Sequence, residues 1–231
     1  MGWENINLNL MEAIDFGIKT QNLILPVFDN ATNALNDEWK KYLTRMDKQI
    51  AEAYERDEGE GSMMSQERDW EEDLHHQRLQ SVGALALDWL MSSVQVALRG
   101  AKSYLDKTHP AKPPYSKDEG WLGYTADEYQ KRFGIDFKAG PVHFERMQEL
   151  VLARNSGIHR EDKAVLDEYI TKIKKPAFVA EGYVGKYFFV TRDALVPMIQ
   201  DCEQFVKWAV AEIQRLRPQS NLGEDSLGNS A

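Results

Sequence analysis

The sequence predicts a mainly all-α fold: a helical bundle with a long antiparallel helical hairpin and one small β-hairpin near residues 177–190. Three observations predict it. Apolar residues recur every three or four positions through most of the 231 residues. The stretch from Ser65 to Asp106 holds no proline, and Gly and Pro gather in a few places that punctuate the rest. Hydrophobic residues make up 42% and aromatics 10%, enough apolar surface to offset the entropy of ordering a chain and to exclude global disorder.

Taken in order, Met11, Ile14, Ile18 and Leu25 share the stripe of a first helix, which Pro26 is expected to bend or end. A second helix runs from about Phe28 to Glu58, its stripe marked by Phe28, Leu35, Trp39, Tyr42, Met46, Ile50 and Ala53. The two glycines of Glu58-Gly-Glu-Gly-Ser62 predict a turn. A third helix from Ser65 to Asp106 would reach about 60 Å at 1.5 Å per residue, with a break near Gly83 as the alternative. Its first half is strongly charged and its second half rich in Ala, Leu, Val and Trp. The second and third helices are therefore expected to pair as a hairpin over residues 27–88, its acidic tip protruding and its base in the core.

Prolines 110, 113 and 114 with Gly120 and Gly123 predict a flap over residues 107–125. Thr125-Ala-Asp-Glu128 matches a capping box, so a short helix should start there and end at Gly134. Pro141 fits the first position of the next helix, whose buried stripe would be Phe144, Met147, Leu150, Val151 and Ile158. Val165, Leu166, Tyr169, Ile170 and Ile173 mark a further amphipathic helix, stopped by Pro176. Short apolar runs on either side of Glu181-Gly-Tyr-Val-Gly185 predict the β-hairpin. A last helix carries Leu195, Ile199, Cys202, Phe205, Val206, Ala209, Ile213 and Leu216, with Pro197 in its first turn. These elements are expected to form a single domain over residues 1–217, and the small, polar residues 218–231 a disordered tail.

Charge and cysteine usage narrow the function classes. A net charge of −9 excludes broad, salt-driven binding of nucleic acid, because counterion release needs clustered cations, though it leaves room for a local site. Cys202 stands alone and no charged-then-apolar leader is read at the start, so a reducing, cytoplasmic location is expected. Val82 to Leu98 is interrupted by Asp88, Ser92, Ser93 and Gln95 and is read as short of the ~20 apolar residues of a bilayer span, so no membrane partner is expected. His75 and His76 are adjacent rather than four apart and do not converge as a helical metal pair, and the acidic run around them reads as a solvated face. Arg99, Lys102, Lys107, Lys112 and Lys117 interleave with Tyr104, Tyr115 and Trp121, a pattern that could guide a single strand by charge and stacking, but Asp106, Asp118 and Glu119 dilute the patch and an ordinary flap fits better.

The most informative run is Arg154-Asn155-Ser156-Gly157-Ile158-His159. Arg154 falls inside an apolar stripe, where a guanidinium needs a carboxylate such as Asp136 or Glu145, an escape to water, or a polar groove. His159 would lie roughly 140° from it on an ideal helix, unless Gly157 ends or distorts the helix.

Arg154-Asn155-x-x-x-His159 at the end of an amphipathic helix, with helices on both sides, resembles the signature of the HEPN superfamily. The resemblance spans about residues 65–216 and carries over Arg154, Asn155 and His159 as catalytic residues. It implies a homodimer whose two motifs face one another and cleave an RNA substrate as a metal-independent endoribonuclease, without a cofactor, in a toxin or defence effector. It also implies a protein antitoxin or regulator as partner. Some family toxins carry a Tyr two residues after the His, and Glu161 stands there instead. Arg160-Glu161-Asp162 also places carboxylates beside the expected phosphate site. The alternative is a non-catalytic HEPN-like helical protein that binds a protein partner or a nucleotide.

Overall fold

A computed structural model describes residues 10–105, 120–159, 162–182 and 185–216. Six helices and one two-stranded sheet follow in the order α1 (Leu10–Arg56), α2 (Glu58–Leu105), α3 (Gly120–Phe133), α4 (Phe144–Ile158), α5 (Lys163–Lys172), β1 (Val179–Gly182), β2 (Gly185–Phe188) and α6 (Arg192–Arg215). The all-α reading with a long hairpin holds. Most of the expected flap, residues 107–119 of 107–125, and the whole of the expected tail, residues 218–231, lie outside the described residues.

α1 and α2 are helices of 47 and 48 residues packed on one another. Two sequence expectations are corrected here, while the reading of the third helix as unbroken holds. Pro26 neither ends α1 nor separates two helices: it is exposed and forfeits one backbone donor, while Ile24 and Phe28 on either side of it are buried and hold the helix to its neighbours. The turn falls at Asp57, whose Oδ1 accepts from the Gly59 and Glu60 N–H groups, so both glycines enter the first turn of α2. Gly61 is needed there for space rather than for a turn, since a Cβ would lie 2.4 Å from the Tyr54 ring. Gly83 likewise causes no break, because it lets α2 seat against β2's end, where a Cβ would come within 2.6 Å of Val190.

The outer part of the hairpin forms its own small interior. Met46, Ile50 and Ala53 are buried outside the main core, and His75 is buried where its ring stacks on Trp39 at 5.1 Å. His75 therefore does not lie on a solvated face. His76 does, within 3.9 Å of Glu72.

The inner half of α2, from Ala84 to Ala101, enters the main core with α3, α4, α6 and the sheet. Tyr129, Phe137, Phe178 and Phe205 are fully buried there, and the Tyr129 hydroxyl donates to the Leu98 carbonyl at 2.7 Å. Between Glu58 and Ser103, α2 contains a window long and apolar enough to cross a membrane by length and composition, contrary to the sequence reading, and 56% of that window is buried inside the fold.

α3 starts five residues earlier than the capping box predicts. Thr125 donates to the Trp121 carbonyl inside the helix, and Glu128 is buried between Lys102 at 3.0 Å and Arg132 at 2.7 Å, so neither residue caps anything. The helix ends as expected at Gly134, where φ is +69°. Pro141 lies outside α4, because a 3-10 turn at Phe137–Ala139 intervenes and His143 is the first cap. The strands pair antiparallel, Val179 with Phe188 and Gly182 with Gly185.

α4 is tied to the rest by a buried carboxylate. Glu149 Oε1 accepts from the Tyr169 hydroxyl at 3.0 Å and the Ala177 N–H at 2.7 Å, while its other oxygen meets Arg146. Arg146 also reaches Asp201 on α6 at 2.9 Å. Burial works against the Arg146 cation, but the bond to Asp201 and the charges of Glu149 and Asp201 outweigh it and raise its pKa. Burial first, then the Glu149 charge, pushes the Tyr169 phenol up, so it stays a donor.

Candidate functional site

The three residues singled out by the sequence lie at the C-terminal end of α4. Arg154 and Asn155 occupy its last turns, and His159 is the cap residue, its N–H donating to the Asn155 carbonyl at 2.9 Å. Ser156, fully buried, reaches the Leu152 carbonyl at 3.0 Å and the Val165 carbonyl at 3.3 Å, which anchors this end of α4 to α5. Gly157 permits a close approach, since a Cβ there would lie 2.8 Å from Phe188 and 2.9 Å from Ala84. Glycine at this position serves packing onto α2, not a distortion of the helix.

That contact brings α4's end to the face of α2 carrying Asp88. Arg154 Nε donates to Asp88 Oδ1 at 2.7 Å, and its Nη1 donates to Asn155 Oδ1 at 3.2 Å. The partner is thus neither Asp136 nor Glu145, the carboxylates the sequence suggested. Asp88 is the residue sequence reading missed: it appears there only as an interruption of an apolar run. The two side chains keep 30% and 40% of their surface exposed, so solvent screens the pair to about 1 kcal/mol or less. A guanidinium offers five N–H donors, and two are used here, leaving the rest for a ligand.

Asp88, but not Arg154, lines two grooves. One, of about 310 Å³, is lined by Ser81, Ala84, Leu85, Asp88, Gly157 and Ile158. The other, of about 460 Å³, runs between α1 and α2 past Val27, Leu85 and Trp89 to the same Asp88. Their rims are apolar and open: Leu85 is 69% exposed, Val27 49%, Trp89 46% and Ile158 44%. Ile158 was expected in the buried stripe of α4, of which Met147 and Leu150 are buried. It sits one residue before the cap, where the helix has left the core.

His159 is exposed, and no hydrogen bond joins its imidazole to Arg154 or Asn155 within the chain. Asp162, one of the carboxylates expected to repel a phosphate, caps α5 by accepting from the Ala164 N–H at 2.9 Å. Arg160 and Glu161 lie outside the described residues. Arg154 and Asn155 are brought together, then, while His159 stands on the same helix end, bonded to Asn155 only through the backbone. Comparison of the chain with protein-family models, curated proteins and solved structures finds no match.

Proposed function

We propose that this protein is a cytoplasmic, metal-independent endoribonuclease of HEPN type, acting as a homodimer in the manner of a toxin or defence effector. One observation supports this reading above the others. Arg154, Asn155 and His159 share the solvent-reachable end of a single core helix, with the guanidinium held in place by Asp88 and Asn155.

The chemistry follows from the residue types. Asp88 and Asn155 orient the guanidinium, whose remaining donors clamp the scissile phosphate as negative charge builds on it. An imidazole shuttles protons near neutral pH, taking one from the ribose 2′-hydroxyl or giving one to the departing 5′-oxygen. Attack of that 2′-oxygen on phosphorus breaks the bond to the 5′-oxygen, leaving a 2′,3′-cyclic phosphate and a 5′-hydroxyl. Two imidazoles, one from each protomer, would divide the base and acid roles across a twofold axis. The open apolar residues Leu85, Trp89, Val27 and Ile158 around Asp88 suit a second copy.

The test is cleavage of mixed RNA in EDTA. Wild type is expected to yield cyclic-phosphate ends, and Arg154→Ala and His159→Ala each to lose about 100-fold or more in rate while retaining helical circular dichroism. Cleavage that survives either substitution removes the site.

The lack of a hydrogen bond between the His159 imidazole and Arg154 within the chain favours a second reading: a non-catalytic helical protein that uses the apolar rim to hold a protein partner. Absence of cleavage by wild-type dimer would favour it.

A further inference from the structure

The outer part of the hairpin, its stem, has two outward sides of different chemistry. Along α1, from Asp37 to Arg56, five carboxylates are balanced by five cations. Along α2, from Glu58 to Arg78, seven carboxylates stand against two cations, leaving −5 of the chain's −9. Gly61, Arg68 and His75, spaced by sevens, mark the side of α2 that meets α1: Gly61 lies against Tyr54, Arg68 reaches Asp47 at 3.7 Å, and His75 stacks on Trp39. Met63 and Trp70 follow Gly61 and Arg68 by two positions, about 200° round the helix, and so stand on the side turned away from α1. They are 70% and 60% exposed. The half-buried Leu74 continues their stripe, flanked by Glu67 and Asp73, both exposed and without an ion-pair partner among the described residues.

A Trp and a Met on the solvent side of so charged a helix have no part in the stem's own interior, which Met46, Ile50, Ala53 and His75 fill. We propose that this outer face of α2 docks a basic amphipathic helix of a partner protein, its apolar residues on Met63, Trp70 and Leu74 and its Lys or Arg residues on Glu67 and Asp73. The spacing suits a helix, because apolar residues seven apart stay on one seam when a second helix is laid alongside. From Met63 to Leu74 the stripe runs about 16 Å, so about three turns of the partner cover it. Trp is among the side chains that anchor interfaces most strongly. Charge then selects the occupant. Nucleic acid and an anionic bilayer are repelled by this face. A second copy offers only the same acidic face or the balanced side of α1, and neither complements it. The proposal does not rest on the ribonuclease reading, since Trp70 stands about 27 Å along α2 from Asp88 and none of these residues belongs to the Arg154 site.

Fluorescence anisotropy of labelled synthetic peptides, titrated with the full-length protein, tests it. The probe is a Leu/Lys peptide with its leucines at helical spacing. Two controls accompany it, one of the same composition in scrambled order and one with Glu in place of every Lys. The probe is expected to bind, the scrambled peptide to bind about tenfold more weakly, and the Glu peptide not to bind. Trp70→Ala and Met63→Ala are each expected to weaken binding of the probe about tenfold. Both side chains are exposed, so the substitutions leave the fold intact, and unchanged thermal unfolding verifies this. Glu67→Gln with Asp73→Asn is expected to reduce the salt dependence of binding. The proposal is overturned if the probe does not bind, if the scrambled peptide binds as tightly, or if binding survives Trp70→Ala combined with Met63→Ala. Self-association of the wild type that Trp70→Ala abolishes, read by sedimentation, would assign the face to a second copy and overturn it equally.

Discussion

Arg154 and Asp88 are complementary exceptions: each is a lone charge in an otherwise apolar helix face, and each finds the other across the α2–α4 contact. Neither is explained alone, and that mutual need is the signal a single-helix reading loses. Glu149 illustrates the same point with higher stakes. It is buried, and its oxygens satisfy Arg146, the Tyr169 hydroxyl and the Ala177 N–H, so one carboxylate joins α4 to α5, the strand connection and, through Arg146, α6. Glu149→Ala is expected to cost about 3 kcal/mol, because the abandoned donors lose their only common acceptor inside the fold. Glu149→Gln, which keeps a carbonyl oxygen, should cost less. Urea unfolding measures both, and a loss below about 1 kcal/mol for the alanine variant would show that the network is marginal.

At the scale of elements, helical spacing was legible wherever a stripe had one buried side, and the number and order of helices after residue 120 follow from it. Boundaries were less legible because local signals compete with packing. Pro26 reads as a breaker and Gly83 as the place of an alternative break, yet each sits where neighbouring residues are held by contacts remote in sequence. Thr125 and Glu128 match a capping pattern but serve the interior of α3. The hairpin stem adds a titratable element. Burial first, then the charges of His76 and Arg78, lowers the His75 pKa, with Glu72 opposing. A histidine whose folded pKa is depressed stabilises the fold above its unfolded value of about 6.5 and loses that contribution as pH falls toward the folded value. The stem should therefore loosen below about pH 6.5, seen as faster amide exchange around Trp39 and His75, and His75→Phe should flatten that dependence. Equal acid sensitivity in His75→Phe would assign the effect to other groups.

For the whole molecule, the candidate site was legible as a motif but not as a geometry. Its residues share one helix end, and what lies opposite them comes from α2, whose register no periodicity reveals. Catalysis as proposed also needs a second protomer. Sedimentation at micromolar concentration is expected to show a dimer, and Leu85→Asp to shift it to monomer. Leu85 is mostly exposed in the single chain, so the substitution spares the fold while placing an unpaired charge in the apolar rim. A wild-type protein that remains monomeric at high concentration would remove the composite site.

The unbroken passage of α1 and α2 from body to stem also has a mechanical meaning. Between Glu58 and Gln80 the stem extends by about 34 Å, and no flexible joint separates it from the body. Gly83 seated on Val190, and Gly157 wedged beside Ala84, act together as a fulcrum. Sideways force at the tip reaches this pivot multiplied by the length of the arm, and Asp88 lies just one and a half helical turns beyond it, where a small rotation of the rod would shift the carboxylate that holds Arg154.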